Sequence, residues 1–341
     1  MPNDGAPLEV VRLTEEPGPG WDETVAELGG CAFHSRGFGL ACGELSGENS
    51  FLVFRRDRRE VGYAIASSHR TRWRPLGWAR DVLELASPPV LTDEATRPQA
   101  VEALVGFARQ AHFGCLRIGS VGDPKPEEPL PAPHPRAHQA PRLEYRVPIG
   151  PDFPATLARM APAHRRKVRK VLEGDFGFEE QSSMEGALRL HTIAEQVFER
   201  RHARGETEAH GWELEDYRKR MAAYLRHGLI RFFFTLQARE TLSGIGIMPF
   251  KRTAFYLVGG TTREGYERQA AYAMFAHIIQ QLIADGFTEM NLGGTGIGAR
   301  DQASPEHGLY RHKAGYGGRV FELTDLSLPL TPWRWWPALP R

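Results

Sequence analysis

The sequence predicts an α/β (α+β) protein made of two tandem domains of one plan, each a mixed, mostly antiparallel sheet flanked by helices. Three observations carry this. At 341 residues the chain exceeds what a single hydrophobic core usually serves. A hairpin pattern occurs twice: FLVFRRDRREVGYAI (51–65) can be laid over FFTLQARETLSGIGI (233–247), which puts Phe51 on Phe233, Phe54 on Leu236, Gly62 on Gly244 and Ile65 on Ile247. HFGCLRI (112–118) sits on DGFTEMN (285–291) in the same way. Between the copies, residues 121–141 hold seven prolines in 21 residues. Such a run suits neither a helix nor a central strand and reads as a linker or surface loop at a domain boundary. The expected division is 1–147, completed by 316–341, and 148–315.

The elements follow in order. Residues 8–13 alternate weakly as a strand, and 21–28 and 38–45 are short helix candidates. FLVFRR (51–56) and VGYAIA (61–66) form a hairpin across Asp57-Arg58-Arg59, and 80–86 are a third strand. A helical apolar period over 100–112 stops at Gly114 and leads into the strand CLRIG. In the second half, helices are expected at 155–173, 186–201 and 214–227, and strands at 231–237, 243–250 and 255–260. An apolar helix over 271–284, stopped by Gly286, then feeds a short strand.

Composition excludes several classes. Apolar residues at 41% and charged residues at 25% are those of an ordinary soluble globule. Lys+Arg 43 against Asp+Glu 42 gives a net charge of +1, so a polyanion site must come from local clustering. Cys31, Cys42 and Cys115 lack metal spacing, and His202 and His210, eight apart, make a poor metal pair. No metal or resident cofactor is expected, and reduced thiols suit a cytoplasmic protein. The N-terminus has no signal-peptide pattern, and no segment approaches 18 uncharged apolar residues. The C-terminal LTPWRWWPALPR, with Trp333, Trp335 and Trp336, has the mixture that can make peripheral membrane contact, although packing on the protein's own surface is the commoner fate.

The stretch MNLGGTGIGARDQASPEHGLYRHKAGYGG (290–318) concentrates the chemistry. A glycine-rich loop leaves a strand end, the usual place for an α/β site, and reaches a lone lysine, Lys313. Gly294-Thr295-Gly296-Ile297-Gly298-Ala299 fits G-x-G-x-x-A as a bare string, but ARDQASPEHG is not the apolar helix that a dinucleotide loop must open. No G-K-[ST] follows, which excludes a Walker loop. The remaining alternative is a mobile surface loop.

The repeated order of strand, two helices, three antiparallel strands, helix and strand resembles the GNAT acyltransferase domain, so the chain resembles two GNAT-like domains in tandem. That arrangement is similar to the Fem family of aminoacyltransferases, FemX among them, and their FemAB-like relatives. HRRKVRKVLEGDFGFEE (164–180) resembles the family's basic helix, turn and strand. FYLVGGTTREGYERQAAYAMFAHIIQQLIADGFTEMNLGG (255–294) resembles its Y-x-x-G-g segment, long helix and D-L-G-G strand end. GLYRHKAGYGG (308–318) resembles its F-K-x-x-F-G element. The resemblance spans roughly residues 20–325 and is specific in the second half. Asn291 stands where the family often has Asp, and His312 where it often has Phe. PPVLTDE (88–94) resembles a turn that carries a functional aspartate, but Asp93 falls one place late, with Thr92 in the expected position.

The resemblance implies an aminoacyl-tRNA donor and, as acceptor, an amine of a UDP-linked or lipid-linked peptidoglycan precursor peptide. Lys313 is then the candidate catalytic cation, stabilising the oxyanion of the tetrahedral intermediate more than the ground state. The alternative for Lys313 is a solvated surface lysine. Arg200 or Arg201 falls at the family position that contacts a substrate diphosphate. Tyr256 matches the tyrosine of Y-x-x-G and is expected to line the acceptor cleft, the alternative being a buried strand tyrosine, and Gly293, Gly294 and Tyr310 are expected to bind substrate. Six cations, Arg159, Arg165, Arg166, Lys167, Arg169 and Lys170, form a positive strip in which Arg165 and Arg169 share a helix face that can meet phosphates; the alternative is a solvated helix face. The stretch 262–270, where an acyl-CoA GNAT holds the CoA diphosphate, carries one glycine and two carboxylates, so a CoA site is not expected. No general base is assigned. Two alternatives stand beside this reading: a FemAB-like N-acyltransferase using acyl-CoA in natural-product or polysaccharide modification, and a non-catalytic tRNA- or nucleotide-binding module.

Overall fold

In the computed structural model, which describes residues 6–70, 81–93, 96–203, 205 and 212–331, both hairpins are present. The first half of the chain runs β1 (Glu9–Arg12), α1 (Trp21–Glu27), α2 (Arg36–Ser46), β2 (Phe51–Arg56), β3 (Arg59–Ile65), β4 (Ser67–His69), β5 (Val82–Leu85), β6 (Val90–Leu91), α3 (Arg97–Gln110), β7 (Cys115–Ile118) and β8 (His138–Pro148). The second half runs α4 (Phe153–Arg159), α5 (Pro162–Leu172), β9 (Gly177–Gln181), α6 (Met184–Ala203), α7 (Leu214–Arg226), β10 (Arg231–Gln237), β11 (Glu240–Phe250), β12 (Thr253–Thr261), α8 (Arg263–Glu267), α9 (Ala270–Ala284), β13 (Glu289–Gly296), α10 (His307–Ala314) and β14 (Arg319–Pro329).

The chain divides into Met1–Arg142 with Glu322–Arg341, and Leu143–Phe321. In the first unit, β1-β2-β3-β6 form one sheet, while β5 pairs with β4 on one side and, in parallel, with β7 on the other. The end of β14 closes against β7, with Leu326 opposite Ile118. Alternate residues of these strands and the apolar face of α3 (Ala100, Val101, Leu104, Ala108) make one core. The proline-rich stretch belongs to this unit: Leu130 is buried in its core, and Asp123 makes a buried ion pair with Arg97. It is packed structure within a unit, and the division falls inside β8 instead.

In the second unit the strand order is β8-β13-β12-β11-β10-β9. All the pairings along β9-β10-β11-β12 are antiparallel, and β12 and β13 are parallel. α9 is apolar nearly all round, with Ala273, Met274, Ile278, Ile279 and Leu282 buried in the core with Ile245, Ile247, Met290 and Leu292. A helix of that character is stable only when covered.

Three expectations are corrected. The helix expected over 155–173 is two helices, because Met160 (ψ 148°) and Ala161 (ψ 144°) turn extended ahead of Pro162, whose ring disfavours helical geometry in the residue before it. The ungapped hairpin overlay is two residues out on its first strand: Phe54 faces Gly62 and Phe234 faces Gly244, so Phe54 corresponds to Phe234, and the second hairpin is the longer. Both hairpins nonetheless turn on two consecutive left-handed residues, Asp57-Arg58 (φ 50° and 66°) and Ala238-Arg239 (φ 48° and 72°). That is the geometry of a two-residue hairpin loop that matches strand twist. Lastly, 263–267 and 307–314 are helical, where the sequence reads as loop. The tryptophan-rich C-terminus and His210 lie outside the described residues. Among the described residues no helix is long and apolar enough to cross a membrane, and no cluster of metal-ligating side chains occurs.

Candidate active site

The second unit contains a split between its two parallel strands. β12 and β13 pair only over Thr253–Phe255 and Glu289–Asn291, after which β12 continues to Thr261 and β13 to Gly296 without pairing with each other. A bulge on β12 starts the divergence: Val258 faces Gly246 and Tyr256 faces Ile247, which leaves Leu257 as the extra residue. Bulges bend a strand and re-aim its side chains, and here the re-aimed side chain is Tyr256.

Across the split, Asn291 is buried, and its Oδ1 accepts a hydrogen bond from the Gly293 N–H at 2.8 Å. This local bond turns the backbone into the left-handed conformation of Gly293 (φ +68°), open to glycine at little cost. The turn presents the Gly294 carbonyl, which accepts from Lys313 Nζ at 2.9 Å. The ammonium also lies 5.7 Å from the centre of the Tyr145 ring and 5.6 Å from that of Tyr256, an arrangement in which ring quadrupoles attract a cation. Lys313 is therefore not a freely solvated lysine. It is half-buried on the last turn of α10, where the helix dipole favours a cation.

The tyrosines around it are held as neutral phenols. Burial pushes Tyr145 up to about 12, although its hydroxyl shares a 2.8 Å hydrogen bond with Thr295. Burial likewise raises Tyr256, aided by Tyr266 and opposed by Arg201. Tyr316 is fully buried, its hydroxyl has no hydrogen-bond partner among the described residues, and its pKa is raised strongly by burial. Sequence reasoning assigned no role to Tyr145 or Thr295, and met Tyr316 only as part of the F-K-x-x-F-G resemblance.

α10 is tied at both ends. His164 on α5 bonds the carbonyl of His312 through Nε2 at 3.0 Å, capping one of the carbonyls that a helix end leaves unsatisfied. Gly315 allows this contact, because a Cβ there would fall within the His164 ring. Burial lowers both imidazoles, His312 to about 3, with Lys167 adding to the effect on each and Lys313 to that on His312. At the other end, Glu306, the residue before α10, accepts from Arg201 at 2.8 Å.

The remaining sequence candidates separate. Arg200 donates to the carbonyl of Thr261 and lies 5.6 Å from the Tyr266 ring, so both arginines stand at the end of α6 beside β12. Tyr310 packs edge-on to Tyr145 at 6.1 Å and stacks with His307 at 5.8 Å. Arg165 is half-buried and bonds the Ala158 carbonyl at 3.1 Å, whereas Arg169 is exposed. Asp93 lies in the first unit, its carbonyl accepting from Thr96.

The stretch after β12 is a self-satisfied helical turn. Thr262 Oγ1 accepts from Gly265 N at 3.0 Å, and the amides of Tyr266, Arg268 and Gln269 donate to Thr262, Glu264 and Tyr266. These N–H groups are engaged, and so are not presented to a diphosphate. The two carboxylates read as repulsive are partly compensated, since Glu264 pairs with Arg268 at 2.7 Å and Glu267 with Arg263 at 3.7 Å.

Residues 159–313 match the model of the acetyltransferase (GNAT) domain. No curated protein matches the sequence. Among solved structures the chain is similar to FemX (13% identity, 94% of this chain and 96% of that one, TM-score 0.66). It is also similar to L-PGS from Bacillus licheniformis (13% identity, 94% and 95%, TM-score 0.52). A third likeness is to a tandem GNAT protein from the clavulanic acid biosynthesis pathway (12% identity, 95% and 99%, TM-score 0.52). At such identities the likeness shows the fold. The chain has the tandem GNAT fold, and the residues of its second unit that match the GNAT acetyltransferase domain are 159–313.

Proposed function

We propose that the protein is an aminoacyltransferase of the Fem type, moving an amino acid from aminoacyl-tRNA onto an amine of a peptidoglycan precursor peptide, UDP-linked or lipid-linked, and forming an amide. The observation that carries this reading is Lys313, an ammonium fixed by the Gly294 carbonyl and two tyrosine rings at the split between β12 and β13. When the amine attacks the ester carbonyl, negative charge develops on oxygen, and a cation already held in place stabilises that charge without reorganising. The C–O bond to the tRNA ribose then breaks as the amide forms, and the amine proton leaves with the ribose oxygen or to solvent. The ester is an activated acyl group, so no resident cofactor is required. The engaged amides of Thr262, Gly265, Tyr266, Arg268 and Gln269 favour this donor over CoA, whose diphosphate needs free N–H groups.

One observation favours a second reading. The unpaired edge of β12 beyond Phe255 offers backbone groups to an extended chain such as the pantetheine arm of an acyl-CoA. An N-acyltransferase acting in natural-product or polysaccharide modification is the corresponding alternative. Side-by-side binding of charged tRNA, uncharged tRNA and acetyl-CoA tests the choice: preference for charged tRNA supports the first reading, and saturable acetyl-CoA binding supports the second.

A further inference from the structure

The helix α5 carries a charge pattern that works against its own stability. Arg165 and Arg169, and Arg166 and Lys170, are like-charged pairs four residues apart, a spacing that brings side chains together on a helix and repels. Its first turns hold no acidic residue, yet Arg165, Arg166 and Lys167 crowd the end where the helix dipole is already positive. Elsewhere in the same unit several cations are compensated: Lys219 with Glu215, Arg263 with Glu267 and Arg268 with Glu264 are pairs at that spacing, and Arg231 is held by Glu180 and Asp285.

The structure divides the six cations of the strip. Arg159 and Arg165 donate to backbone carbonyls, and Lys167 donates to the Tyr272 hydroxyl at 3.2 Å. His164, Val168 and Val171 bury the opposite face. Arg166, Arg169 and Lys170 are left on one exposed face, with no carboxylate ion pair among the described residues. They rise about 6 Å along the helix axis from first to last. The same helix is bonded through His164 to the carbonyl of His312, the residue next to Lys313.

We infer that Arg166, Arg169 and Lys170 form a docking track for the phosphodiester backbone of a tRNA acceptor arm, which leads its 3′ end toward Lys313. The inference rests on the aminoacyl-tRNA reading and deepens it. A chain of regularly spaced phosphates matches three uncompensated cations, and the direct link from this helix to the lysine helix selects an occupant whose end is the reacting ester.

The test measures binding of uncharged tRNA, by fluorescence anisotropy across a salt series, to the wild type, to Arg166→Gln/Arg169→Gln/Lys170→Gln, and to a control of equal charge change, Arg218→Gln/Lys219→Gln/Arg263→Gln. The α5 variant is expected to bind at least tenfold more weakly at 0.15 M salt, with a slope of log affinity against log salt shallower by about 2 to 3, as for three lost phosphate contacts. The control should keep the wild-type slope, and the α5 variant should melt close to the wild type, since the repulsion it loses offsets the favourable placement of Arg169 and Lys170 in the last turn. Wild-type tRNA binding that the α5 variant leaves unchanged overturns this inference alone. Absence of any wild-type tRNA binding overturns it together with the donor reading, as does wild-type binding to vesicles containing phosphatidylglycerol in preference to tRNA.

Discussion

Replacing Lys313 by Met keeps the unbranched stem and removes the charge. In the folded protein the change deletes one charge-assisted hydrogen bond to Gly294 and two ring contacts at 5.6 and 5.7 Å. The bond contributes about 1.5–3 kcal/mol and each ring contact about 0.5–1 kcal/mol, partly offset because a half-buried ammonium no longer has to be desolvated. The net loss should stay near 2 kcal/mol, a fall in melting temperature of at most about 8 °C for a unit of this size. Turnover should fall much further. Loss of a single preorganised donor to an acyl-transfer oxyanion typically reduces kcat about 100- to 1000-fold, or about 2.7–4 kcal/mol of barrier. The assay is amide formation under saturating charged tRNA and amine acceptor, alongside a thermal melt of the same preparation. A folded Lys313→Met protein with kcat within about threefold of wild type would refute the role of this lysine.

Other predictions follow from packing and protonation. Gly315→Ala pushes a methyl group into the His164 ring and should cost about 1–3 kcal/mol, whereas in a His164→Ala background much of that cost should disappear; additive losses would show that the two residues do not meet. Gly293→Ala places Ala at φ +68° and should cost about 1–2 kcal/mol, while Asn291→Asp, which keeps the acceptor for the Gly293 amide, should be tolerated far better than Asn291→Leu in urea unfolding. His34 is buried in the first unit, and burial lowers it to about 4, so the folded state binds fewer protons than the unfolded state between about pH 6.5 and 4. Stability of that unit should therefore be complete above pH 6.5 and fall by about 2 kcal/mol on going from pH 7 to 5. A His34→Gln variant should lose that slope, and an unchanged slope would assign it to other groups.

How much of this was legible depended on whether the signal was local. The strand RFFFTLQ occupies Arg231–Gln237, because a continuous apolar run between turn residues has few other fates. Lys313 stood out as a lone lysine near glycines, but its setting did not, since Tyr145 is 168 positions away and only the fold brings their side chains together. The helix around Lys313 was hidden because GLYRHKAGYGG has glycines at both ends and no apolar stripe; it is held by His164 and Glu306 rather than by propensity. The short helix α8 was hidden for a similar reason: its stabilising features are the Thr262 cap and two ion pairs rather than hydrophobic periodicity. The error in the hairpin overlay has another origin. Gly62 and Gly244 each lie opposite a phenylalanine, and the two additional residues between Phe234 and Gly244 cannot be detected by an alignment that permits no gap.

The central claim is that the acyl group arrives as an ester on tRNA. The most direct measurement supplies one radiolabelled amino acid either as aminoacyl-tRNA or free with acetyl-CoA, together with a peptidoglycan precursor pentapeptide amine, and follows label in the amide product. The account predicts label transfer from charged tRNA, loss of that transfer in Lys313→Met, and no consumption of acetyl-CoA. Release of CoA with acetylation of the amine, and no transfer from charged tRNA, would contradict it.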